Sequence, residues 1–293
     1  MNLLNLSTIA HDKKTSLKFL QDNGIVHKIR FCKQNHSMNL LITDRQDRWR
    51  CSHVSCNENI PLRNGTWLEG SRITYRQIVL FIYCWSKEMT SINFCQAELK
   101  IGKDSAIKWN NNIREVCANK LITNPSILGG PNTTVEIDES MFTRRKNEVG
   151  RILPQQWVFG GICRETRESF IVPIQNRSKE TLMPIISANI LPGTKIISDR
   201  WRAYNAIDML PGYTHETVNH SVNFVDPRTG ANTQRIERLW KTAKERNKRH
   251  NGTHRHMLHS YMCEFMWRCR IKVHKLDAFN SILQDIAVFW PPV

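Results

Sequence analysis

An α/β chain is predicted: a mixed sheet flanked by helices, preceded by a small cysteine-bearing β module and by a helical module. Three observations carry this reading. Strand-like apolar runs and helical stretches alternate beyond about residue 132, as in a sheet with helices packed against it. Cys32, His36, Cys51 and Cys56 sit among short β-like pieces upstream. Three separated carboxylates, Asp138, Asp199 and Glu237, stand at strand or helix positions in a chain of formal charge +16.

The 293 residues are enough for one large domain or two to three small ones, and 40% hydrophobic content supports real cores. No window approaches the ~18–20 apolar residues of a membrane span, so no membrane partner is expected. The start, MNLLNLSTIAHDKK, lacks a cationic lead and a small-residue cleavage site, so no secretory signal is read. The positive charge favours a polyanionic partner, nucleic acid first. Nine cysteines, an odd number in a long chain, point to a reducing compartment rather than a disulfide framework.

Residues 1–28 form a helical lead, with Leu17, Phe19 and Leu20 ahead of Asn23-Gly24. Residues 29–70 carry β-like pieces IRFC, MNLLIT and RWRC, and the ligand types C-x3-H and C-x4-C resemble a small zinc ribbon. A module this small has too little core to fold alone, so Zn²⁺ would supply the missing stability. Cys51 and Cys56 are the firmer half; His36, His53 or no fourth ligand remain open beside Cys32. Residues 71–123 form a helical module. ITYRQIVLFIYCW is one helix, INFCQAELK a second that stops at Gly102, and DSAIKWNNNIREVCANKL a third capped by Asp104 or Ser105. Helices broken by a glycine turn resemble a helix-turn-helix, although plain three-helix packing fits too.

A joint rich in Pro, Gly and Asn leads into residues 132–275. TTVEIDESMF, QWVFGGICRE and ESFIVPIQ read as an antiparallel meander. SKETLMPIISANIL is helical to Pro192-Gly193, TKIISD is a buried strand, residues 201–207 a short helix, and GYTHETV another strand. Helices follow, and residues 276–293 form a helical tail. Strands, helix, strand, helix, strand and helices in that order describe the ribonuclease-H-like arrangement.

In VEID, alternation puts Val135 and Ile137 on one side and Glu136 and Asp138 on the other. Asp199 closes a buried strand, the edge where sheets of this kind hold ligands. Glu237 opens a helix with Ile236, Leu239, Trp240 and Ala243 on its apolar side. A carboxylate among Arg235, Arg238, Lys241 and Lys244 also serves as an ordinary surface ion pair. The intervals are 61 and 38 residues, and Glu136, Glu139, Asp208 and Asp226 are competing acids. Carboxylates converging from two strands and a helix suit two hard divalent ions, Mg²⁺ first, and in-line displacement at phosphorus.

The motifs VEIDES (135–140), ISDRWRAY (197–204), VNHSVNFVDPRTG (218–230) and TQRIERLW (233–240) together resemble the Merlin-type DDE transposases, eukaryotic relatives of a bacterial insertion-sequence family. YMCEFMWR (261–268) resembles that family's closing helix, and WRC (49–51) with GTW (65–67) its ribbon, so the resemblance spans about residues 29 to 272. It implies cut-and-paste DNA transposition with Mg²⁺ or Mn²⁺ at Asp138, Asp199 and Glu237, with His220 and Asn223 as active-site support. The departure is at the ribbon, where Cys32-Lys-Gln-Asn-His36 stands in place of C-x2-C.

Between positions 235 and 275, 12 Lys or Arg stand against 3 Glu, which favours DNA contact that weakens with salt. Arg235, Arg238, Lys241 and Lys244 recur every third residue, continued by Lys248 and Arg249; such a stripe is otherwise a solvated helix face. Trp201 and Trp240 are candidates for the groove or for the core. Double-stranded DNA, as transposon ends and target, is the expected partner. A homodimer or higher oligomer would hold two ends, and residence would be nuclear, with 244–249 as an import candidate. A domesticated copy that binds DNA without cutting it is the competing reading, and a ribonuclease or junction nuclease on the same architecture a third.

Overall fold

A computed structural model of the chain describes all residues except 44–45, 143–155, 220–221, 223, 250–256 and 293, and the side chains of 246, 247 and 249. The chain divides into two compact units, Met1–Lys120 with Leu276–Val293, and Leu121–Lys275. No described helix is long and apolar enough to cross a membrane.

The first unit begins with helices α1 (Leu3–Ile9) and α2 (Lys13–Asp22). An antiparallel three-stranded sheet follows, β1 (Asn39–Leu41), β2 (Arg48–Arg50) and β3 (Asn59–Pro61). Helices α3 (Tyr75–Ser86), α4 (Ile92–Ala97) and α5 (Lys103–Thr123) come next. Helix α3 starts in a reciprocal cap: Thr74 Oγ1 accepts from the Gln77 amide at 3.2 Å while Gln77 Oε1 accepts from the Thr74 amide at 2.9 Å.

The expected elements differ here in three places. IRFC forms no strand, only a single bridge between Phe31 and Ser37, because Cys32 and His36 close a turn on each other. Helix α4 ends at Ala97, five residues before Gly102, where Leu99 and Ile101 turn inward and Lys100 takes φ 54°. Helix α5 begins at Lys103, so Asp104 lies in its first turn, where its charge favours the helix N-terminus.

The second unit is built on a five-stranded mixed sheet. Its elements are β4 (Leu128–Gly129), β5 (Thr134–Met141), β6 (Trp157–Cys163), β7 (Ser169–Ile174), helix α6 (Lys179–Asn189), β8 (Ile190–Leu191) and β9 (Lys195–Asp199). A 3-10 helix (Arg202–Met209), β10 (Thr214–Val218), α7 (Gln234–Arg249) and α8 (Leu258–Val273) follow. The strand order is β10-β9-β5-β6-β7, with β4 and β8 paired separately. Strands β5, β6 and β7 form the antiparallel meander, and β9 and β10 run parallel to β5.

Each face of this sheet carries a core. Val135, Ile137, Phe159 and Ile196 pack with Leu182 and Ile186 of α6 and with Tyr204 and Ile207. On the other face, Val158, Ile162 and Ile171 meet Ile236, Leu239 and Trp240 of α7 and Met262 and Phe265 of α8. Burial on both sides explains why Ile196 and Ile197, neighbours in β9 and so on opposite faces, are both apolar. The C-terminal helix (Ala278–Phe289) belongs to the first unit instead of forming a tail: Phe279 stacks on Phe19 at 5.9 Å and meets Tyr83 edge-on at 5.6 Å.

Candidate functional site

Strands β5 and β9 pair with Thr134 beside Lys195, Val135 beside Ile196 and Glu136 beside Ile197. The same offset carries Asp138 level with Asp199, at the end of β9, and side chains level in parallel strands share a face. Asp138 feels this neighbour. Burial, then the charges of Glu139 and Asp199, push its carboxyl up to about 7, against a hydrogen bond from Trp240. That bond runs from Trp240 Nε1 to Asp138 Oδ2 at 3.0 Å. Asp199 Oδ1 accepts from the Trp201 amide at 2.8 Å.

Two features dock α7 beside these aspartates. Glu136, fully buried, accepts from the Arg235 and Ile236 amides at 2.8 and 3.1 Å, and Arg164 Nε donates to its other oxygen at 2.7 Å. A carboxylate that satisfies two free amides of a first helical turn also complements the helix dipole. Removing it would leave those amides without an acceptor and take from Arg164 its carboxylate partner, a loss of about 3–5 kcal/mol. Gly160, paired with Asp138 across β5 and β6, provides the second feature. A Cβ there would lie 2.7 Å from the Trp240 ring, so only glycine lets Trp240 lie close enough to hold Asp138.

The competing acids are engaged elsewhere. Glu136 is taken by α7 and Arg164, and Glu139 by the Tyr204 hydroxyl and by Arg177 at 3.1 Å. Asp208 pairs with His215 at 3.3 Å, and Asp226 accepts from the Arg228 and Thr229 amides in its own loop. His215 Nε2 lies 2.9 Å from Ser198 Oγ, which donates to the Asp199 carbonyl at 2.7 Å, bracing the end of β9.

Glu237 lies apart from the aspartate pair. It is exposed in the first turn of α7, and Thr233 Oγ1 donates to it at 3.2 Å. Three ligand atoms from Asp138, Asp199 and Glu237 do not fall within 4.8 Å of one another. Glu237 nevertheless shares an edge of α7 with Trp240 and Lys244, at i, i+3 and i+7. Lys244 stands over the Phe142 ring at 5.8 Å; its burial lowers its pKa, partly offset by the charge of Asp138.

Of the basic stripe, Arg238, Lys241 and Lys248 are exposed. Arg235 is tied down instead, donating to the Arg164 carbonyl at 3.1 Å. His220, Asn223 and the Arg249 side chain lie outside the described residues. Trp240 is a core residue that touches the site, whereas Trp201 is 38% exposed.

Cys32, His36, Cys51 and Cys56 come together in the first unit, all four ligand atoms within 4.8 Å of one another. Cys51 Sγ lies 3.7 Å from His36 Nδ1, and the His36 amide donates to Cys32 Sγ at 3.2 Å. His53 stacks on His36 at 4.0 Å and pairs with Ser55, outside the ligand set. Burial raises the Cys32 thiol, but the amides of His36 and Gln34 outweigh it and hold the thiol below its ordinary value. Cys56 is pushed up to about 11: the Glu58 amide lowers it, and burial and the neighbouring thiols more than reverse that. A set in which one thiolate opposes the next fits a soft cation such as Zn²⁺, which relieves that repulsion.

Residues 128–269 match the family model of the ISXO2-like transposase domain, which supports a DDE transposase family for this region. A Haemophilus influenzae protein described as an uncharacterized transposase-like protein is 28% identical over 99 residues, 34% of this chain and 78% of that protein. A cryo-EM structure of a simian T-cell lymphotropic virus intasome in complex with PP2A regulatory subunit B56 gamma is similar over 62% of this chain and 67% of that chain. Its identity is 15% and its TM-score 0.31, a likeness too slight to bear on fold or function.

Proposed function

We propose that the chain is a Merlin-type DDE transposase that binds transposon ends and cuts and rejoins DNA through Asp138, Asp199 and Glu237 on a ribonuclease-H-like domain. The observation that carries the proposal is the β5–β9 register, which sets Asp138 level with Asp199 inside the transposase-domain match. The strand order β10-β9-β5-β6-β7 supports the domain type.

Divalent cations of the Mg²⁺ or Mn²⁺ class, when bound, offset the charge that builds up during displacement at phosphorus. Asp138 and Asp199 form the fixed half of the ligand set, each aimed by one N–H donor. Glu237 is the third ligand, carried on a helix whose first turn is clamped to β5. Ions ~3.5–4 Å apart draw ligands from more than one direction, so three carboxylates serving two ions need not meet in one coordination shell. Arg238, Lys241 and Lys248 line the exposed side of α7 as phosphate contacts, and Zn²⁺ at the Cys/His centre fixes the β module of the end-binding unit. Two DNA ends require at least two copies of the chain.

Supercoiled plasmid carrying matched terminal repeats, incubated with Mn²⁺, tests this directly. The parent is expected to nick and linearise it, and Asp199→Asn to bind it equally without cutting. Binding without cutting by both proteins supports the decayed, DNA-binding reading instead; cutting by Asp199→Asn contradicts the catalytic assignment.

A further inference from the structure

Trp201 stands two residues beyond Asp199, and its ring is fixed on three counts. Its amide donates to Asp199 Oδ1 at 2.8 Å, and its Nε1 to the Arg177 carbonyl at 3.0 Å. The Arg177 guanidinium lies over this ring, 4.1 Å from its centroid, and also 4.2 Å from the centroid of the Trp157 ring. The Arg177 charge is already spent on Glu139, which is buried, so it is poorly placed to serve as a phosphate contact. The stack Trp157–Arg177–Trp201 therefore ends in an indole that is 38% exposed beside a catalytic carboxylate.

A large apolar ring kept partly in water yet held rigidly gains little from core burial. The same ring is pre-organised for a flat ligand, because no side-chain freedom is left to lose on binding. Nucleobases are the flat groups that DNA brings to this edge, and every base offers a π-face irrespective of sequence. A base in an intact duplex is already stacked on both sides. The fitting ligand is thus an unpaired base, released where strands part next to the reacting phosphate.

Resting on the transposase reading, we propose that Trp201 is a stacking platform for an unpaired nucleobase flanking the phosphate that is cut. Arg177 and Glu139 are its positioning residues, holding the ring at a fixed angle. The Trp201 amide couples the platform to Asp199, so base and carboxylate are set by one backbone turn.

The test compares a blunt duplex with the same duplex bearing a short overhang, with 5-iodouracil in the overhang or the interior, in Ca²⁺. Ultraviolet crosslinking of the parent should map to Trp201 for the overhang base only. Trp201→Ala should lose that crosslink and bind the overhang duplex at least ~5-fold more weakly while holding the blunt duplex as the parent does. Trp201→Phe, which keeps a ring, should retain most of the preference and so separates stacking from a folding defect. Crosslinks mapping elsewhere, or an unchanged overhang preference in Trp201→Ala, overturn the platform alone. Failure of the parent to bind either duplex overturns the transposase reading and the platform with it.

Discussion

Asp138 carries an electrostatic conflict in the second unit. It is half-buried beside Glu139 and Asp199, with Lys244 the cation whose charge bears on it, and its carboxyl is pushed up to about 7 from an ordinary 3.8. A folded pKa above the unfolded one means that the folded state holds the proton more tightly. The resulting stability is fully present below about pH 4 and is lost as pH rises through 7. Asp138→Asn is expected to abolish cutting and to gain on the order of 2 kcal/mol over the parent between pH 5.5 and 8, without added divalent ions. Urea unfolding across that range checks it, and a constant gap between the two proteins would count against the repulsion. In the sequence, alternation in VEID was enough to set Glu136 and Asp138 on one face. It gave no sign that Glu136 caps a helix 99 residues away, because that partner is a backbone amide and carries no side-chain signature. The two glycines in FGGIC were the available hint, since glycine inside a strand marks a close approach.

Among the elements, strands with clean alternation or continuous burial were legible, and β5, β7, β9 and β10 lie within the stretches read for them. The first unit was harder to read. Its strands are three residues each, and β3 lies in NENIPL, where proline and asparagine hide the signal. A three-stranded sheet of that size has too little apolar face to hold itself together. Its stability is therefore expected to depend on the Cys/His centre. Cys51→Ser should lose bound zinc and lower the melting temperature by about 5–10 °C, while plasmid nicking at low temperature persists. Metal analysis with calorimetry decides it; one retained equivalent of zinc in the variant would rule out this ligand set. The fourth ligand was undetermined in the sequence because the spacing left His36, His53 or no fourth ligand open. Only the fold shows His53 turned to Ser55.

The whole molecule divides into two compact units. One gathers the Cys/His centre and the helical module, and the other the mixed sheet and the carboxylates. The sequence put the break in the Pro/Gly/Asn joint at residues 124–132 and read residues 276–293 as a tail, whereas the second unit runs from Leu121 and those last residues belong to the first. The partners of that segment, Phe19 and Tyr83, are about 200 or more positions away and share no local pattern with it. Charge shows the same division of legibility. A net +16 announces a polyanion, but only coordinates reveal that Arg235 is held by Arg164 while Arg238, Lys241 and Lys248 face solvent. The central claim is that Asp138, Asp199 and Glu237 together hold two divalent ions, although Glu237 stands apart from the pair. Anomalous diffraction from crystals of the protein with DNA and Mn²⁺ measures this directly. Two peaks ~3.5–4 Å apart, reached by Asp138, Asp199 and Glu237, are expected; a single peak that leaves Glu237 in solvent would contradict the claim.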